Sequence, residues 1–75
     1  SAPREWTLRY TGLTKAWKNA FKTHYDYFRK ATAFDFEDKY GDTFEVRYKE
    51  FRTIHDGHKS WDGQWSVEIV LRKQP

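Results

Sequence analysis

A chain of 75 residues that includes 4 Trp, 5 Tyr and 6 Phe can bury only ~60 to 65% of the surface its unfolded form exposes, so a few large rings must do what many aliphatic side chains do in larger domains. With no Cys, it has neither a disulfide framework nor a thiolate metal site, and its net charge of +3 is a mild bias, short of the signature of a dedicated nucleic-acid binder. No apolar run approaches the ~18 residues of a membrane span. The chain also lacks Met, so we expect a trimmed or excised piece of a longer protein, one domain over 1–75, with 1–3 a flexible or expression-derived extension.

In chain order, "REWTLRY" alternates, with Trp6, Leu8 and Tyr10 on one side and Glu5, Thr7 and Arg9 on the other, which predicts a half-buried strand. "TGLT" then punctuates, and Thr14 is placed to cap a helix. From Lys15 to about Ala31 there is no Gly or Pro, and Leu13, Trp17, Ala20, Phe21, His24 and Phe28 recur at steps of three and four, predicting a helix with that apolar face. Lys15, Lys18, Lys22 and Arg29 fall on another face as a basic outer stripe. Lys15 and Lys18 sit in the first turn, where the helix dipole slightly disfavours cations.

A short strand follows around Phe34 to Glu37, then a turn at Tyr40, Gly41 and Asp42, then a strand with Phe44, Val46 and Tyr48 on one side. Glu50 breaks this alternation, so the strand bends, bulges or ends near Phe51. Arg52 to Gly63 carries two Asp-Gly pairs and reads as a loop or a short irregular hairpin. In the last strand Trp65, Val67, Ile69 and Leu71 face inward, and Ser66, Glu68, Val70 and Arg72 outward. The order β-α-β-β-β predicts an α+β fold, a small antiparallel sandwich or sheet with one packed helix.

Chemistry-bearing groups are sparse. His55 and His58 flank Asp56 and Gly57, but His-x-x-His supplies two ligands where zinc takes three or four. The Ser residues stand in no nucleophile-elbow context, and the Gly residues form no phosphate-binding loop. We therefore expect no enzyme, no metal and no cofactor. The basic stripe leaves a second reading open, a small domain that stacks bases on its rings and tracks phosphates with Lys15, Lys18, Lys22 and Arg29.

Taken together, "REWTLRYTGLT", a helix ending in "DYFRKA", "YGDTFEVRYKEF" and "WDGQWSVEIVLR" resemble the minor tail proteins of long-tailed bacteriophages, the group that includes the phage lambda tail protein M and related tail-tip proteins. The strand running into Gly12 to Thr14, the double aromatic Tyr27 and Phe28, and the strand from Trp65 to Arg72 carry the likeness. The resemblance implies a structural component of the virion, assembled in the host cytoplasm, whose partners are other tail subunits or copies of itself in a ring. On that view recognition lies in subunit contacts, with His55, His58 and Trp61 in the Asp-Gly loop and the four cations of the helix as candidate contacts.

Overall fold

The computed structural model describes residues 4–55 and 64–75. In chain order these form β1 (Glu5–Leu13), α1 (Lys15–Phe28), β2 (Phe34–Glu37), β3 (Thr43–His55) and β4 (Trp65–Lys73). The four strands make one antiparallel sheet in the order β1-β4-β3-β2. The fold is α+β, and the core closes by the curl of this sheet into a half-barrel, with no second sheet needed.

Register explains which side chains meet. Leu8 stands opposite Ile69 and Trp6 opposite Leu71, while Leu71 stands opposite Tyr48 and Val46 opposite Phe34. All lie on the concave side, and Val46, Tyr48, Val67, Ile69 and Leu71 form the buried core. The curl brings the outer strands together at one end. Trp6 of β1 packs its ring 5.3 Å from Phe36 of β2 and 4.9 Å from Phe44 of β3.

Two irregularities let the strands run past their predicted limits. In β3 the register shifts between Tyr48 and Glu50, so the alternation broken at Glu50 resumes with Phe51 and Thr53 on the concave side. A bulge of this kind adds one residue without ending the ladder. Arg52 to His55, expected in a loop, therefore continue β3 and pair with β4 as far as Trp65. In β1 the register shifts between Tyr10 and Leu13, where Gly12 has φ 66°, a conformation glycine adopts without steric cost. The strand thus reaches Leu13. Ser66, expected outward, is buried opposite Ile54.

The β2–β3 turn is where Gly41 (φ 86°) and the Asp38 side chain place it. One Asp38 oxygen, Oδ1, accepts from the backbone N–H of both Tyr40 and Asp42, at 2.9 and 3.0 Å.

Helix α1 begins at the expected cap, with Thr14 Oγ1 accepting from Trp17 N–H at 3.2 Å, an interaction worth ~1 kcal/mol. It ends at Phe28, three residues short of Ala31, because Arg29 takes φ 51° and returns its N–H to the Tyr25 carbonyl. The helix crosses the concave side, stacking Tyr25 on Phe51 at 4.6 Å and 7° between planes, and Phe21 against Tyr10 at 4.8 Å.

Candidate functional site

The face that α1 turns to the sheet keeps Phe21 and Phe28 of the predicted stripe but is rotated away from Trp17 and Ala20 toward Lys18 and Tyr25. Lys18, Phe21, Tyr25 and Phe28 are the half-buried positions, whereas Trp17 is 62% exposed and Ala20 and His24 are exposed beside it. The helix is rotated toward Tyr25 because β3 offers that ring two partners, Phe51 and Tyr48, the latter 5.1 Å away and nearly perpendicular. Offset stacks and edge contacts of this sort add to the area that each ring buries.

This rotation leaves a groove of about 310 Å³ between the helix and the concave wall, lined by Leu8, Tyr10, Trp17, Phe36 and Ile69 among others. The helix flank beside it runs through Ala16, Trp17, Ala20, Thr23, His24 and Tyr27 and carries no Lys, Arg, Asp or Glu. Trp17 and Tyr27, the latter 79% exposed, stand out from it, with Tyr10 on the sheet side. Exposed apolar surface bordered by polar surface marks interaction sites.

At the floor of the groove the Tyr48 hydroxyl lies 2.7 Å from His24 Nδ1. Burial, reinforced by the neighbouring Tyr10 and Tyr25, pushes the Tyr48 phenol up to about 12, while partial burial lowers the His24 imidazole below its ordinary 6.5. A histidine with a depressed folded-state pKa binds fewer protons folded than unfolded. Its contribution is fully present above pH 6.5 and is lost as pH falls through the lowered value. The thermal midpoint should therefore fall between pH 7 and pH 5 in wild type and fall less in His24→Gln. An equal fall in both would contradict this.

The predicted site residues are not brought together. Lys18 leaves the outer stripe, turning toward the sheet with Nζ 4.2 Å from the centre of the Trp65 ring. Lys22 pairs with Asp26 at 2.8 Å, and Arg29 Nε donates to the Asp26 carbonyl at 3.2 Å. Lys15, in the first turn, also has a partner. His55 closes β3, its ring 4.5 Å from Trp65. His58 and Trp61, with the two Asp-Gly pairs, lie outside the described residues. Among the described residues no three His, Asp or Glu side chains gather closely enough to hold a metal ion.

What sequence reasoning missed is the groove and its anchor. A signal was present, since Tyr25 follows Phe21 by four and precedes Phe28 by three, the spacing of neighbours on one helix face.

The chain matches no family model, no curated protein and no solved structure, so a functional reading rests on the residues and their geometry.

Proposed function

We propose that this domain is a structural, non-enzymatic subunit that works through protein–protein assembly, in a bacteriophage tail or tail tip as its resemblance to minor tail proteins implies. The observation that supports assembly is the uncharged aromatic flank of α1 beside an open apolar groove. An indole side chain presents ~200 Å². With Trp17 62% exposed, a partner has ~120 Å² of it left to cover, worth ~3 kcal/mol at ~25 cal/mol per Å². Tyr10 and Tyr27 add polar-tipped rings beside it, the composition that anchors interfaces.

The nucleic-acid alternative draws less support. Lys18, Lys22 and Arg29 are engaged with groups of their own chain, and α1 covers part of the concave rings on which bases would stack.

The test is deletion of the gene from the virus that carries it, with particles viewed by electron microscopy. Missing or malformed tails are the expected outcome. Normal tails and full infectivity would overturn the tail assignment.

A further inference from the structure

A second surface, along β3, carries its own partner chemistry. Strand β2 pairs only with Thr43 to Val46 of β3. From Arg47 to His55 the one strand hydrogen-bonded to β3 among the described residues is β4, so the outer side of β3 presents backbone N–H and C=O groups at alternate residues. Such an edge is a template for another strand unless something covers it. Two surface grooves, each shared with residues of β4, reach it. One of about 1220 Å³ touches Arg47, Tyr48 and Lys49, the other of about 430 Å³ touches Glu50, Phe51 and Arg52, and Lys30 lines both.

The charge along this edge is mainly basic, with Arg47, Lys49, Arg52 and the nearby Lys30 set against Glu50. Arg47 stands directly opposite Arg72 in the ladder, a like-charge pairing that is destabilising in itself. Glu5 compensates only in part. Its carboxylate receives Arg72 at 2.9 Å and Lys49 at 3.2 Å, and hydrogen bonds from these two hold it below the usual carboxylate range. Arg52 is satisfied by Glu68 at 2.8 Å. Arg47 and Lys30 pair with no carboxylate among the described residues. Of the two facing arginines Arg72 has Glu5, and Arg47, the one on the strand edge, is left without a carboxylate.

We infer that the free edge of β3 takes up an extended acidic segment of a partner protein as an added strand. Backbone hydrogen bonds to β3 supply the binding, and carboxylates of the incoming segment neutralise Arg47 and Lys30, the two cations of this edge with no carboxylate among the described residues. Its intervening apolar side chains lie on the concave side, next to Phe51 and the Tyr25 ring stacked on it. This is strand addition, in which the main chain gives affinity and alternate side chains give specificity. The cationic side chains disfavour the same edge of a second copy, which would bring like charges together. The edge is open whether or not the tail assignment stands.

The probe is a fluorescein-labelled octapeptide of alternating Glu and Val, titrated with the intact 75-residue chain by fluorescence anisotropy. Three comparisons accompany it: the same peptide N-methylated at every amide, a Lys/Val counterpart, and a short single-stranded DNA. Saturable binding of the Glu/Val peptide is expected. It should weaken tenfold or more on N-methylation, in the Lys/Val counterpart, and in the double variant Arg47→Glu, Lys30→Glu with its thermal midpoint unchanged. No binding, or equal binding of the N-methylated peptide, would overturn the proposal, the latter by showing attraction between charges without strand addition. So would DNA that binds more tightly than the peptide and is lost in the same variant. Light scattering completes the test: a wild-type dimer that the double variant dissociates would make the occupant a second copy and refute a heterologous partner.

Discussion

Replacing Tyr48 by Ala unfolds the protein or brings it close to unfolding. Tyr48 is 5% exposed and sits where the two layers meet, its ring centre 5.1 Å from both Tyr25 and Phe34 and 6.2 Å from Phe51. Removing a buried ring costs ~3 to 5 kcal/mol, and loss of the hydroxyl takes a 2.7 Å hydrogen bond from His24. At ~0.05 to 0.15 kcal/mol per residue the whole domain is stable by only ~4 to 11 kcal/mol. Tyr48→Phe keeps the ring and should cost ~1 kcal/mol, the net worth of one hydrogen bond. Urea midpoints of the two variants check this. A Tyr48→Ala midpoint equal to wild type would show that the core is not centred there.

Trp17 should behave in the opposite way. Apolar periodicity places it in the core, where truncation would cost ~3 to 5 kcal/mol, but at 62% exposure little of its ring is held by the fold. Trp17→Ala should shift stability by ~1 kcal/mol or less, within the range of surface substitutions that touch few neighbours. Trp17→Glu should fold as well as Trp17→Ala, since its carboxylate remains in water in the free domain. In an assembly the same carboxylate would be buried on a flank with no cation of its own, and an unpaired buried charge is costly enough to prevent the contact. We expect the Trp17→Glu subunit to be depleted tenfold or more from purified particles, by quantitative mass spectrometry, with its thermal midpoint intact. Normal incorporation would remove Trp17 from the interface.

Much of the sheet was legible because a strand's side chains alternate with a period of two whatever packs on them. Trp6 and Leu8, then Val67, Ile69 and Leu71, have only two faces to choose between, and large apolar residues at every second position decide the choice. The bulge was legible too, since Glu50 falls where an inward residue belongs. The continuation to His55 was not, because Arg52-Thr53-Ile54-His55 is polar enough to pass for a loop and is held by its pairing with β4.

The helix was harder, and the candidate site was lost there. Two overlapping stripes compete around its circumference: the predicted one of Leu13, Trp17, Ala20, Phe21, His24 and Phe28, and the half-buried one of Lys18, Phe21, Tyr25 and Phe28. Hydrophobicity favours the first, because it counts Trp17 and discounts Lys18. The fold takes the second. Lys18 lays its cation over Trp65, as long amphipathic side chains do when their stems cover apolar surface. The stripe that the core leaves over, Trp17 above all, remains exposed. Rotation of a helix over a curled sheet depends on tertiary contacts such as Tyr25 on Phe51, and no local pattern encodes it. The contact loop expected around His58 and Trp61 lies outside the described residues, and the structural case for assembly stands on the α1 flank alone.

The most direct measurement places a photo-crosslinking residue, p-benzoylphenylalanine, at position 17 and irradiates intact particles. A control carries the same residue at position 22, on the charged flank of the helix. The account predicts a covalent adduct from position 17 to a neighbouring tail subunit or a second copy of the chain, identified by mass spectrometry, and at least tenfold less from position 22. Particles that incorporate the labelled subunit yet yield no adduct from position 17, or equal yields from both positions, would contradict it.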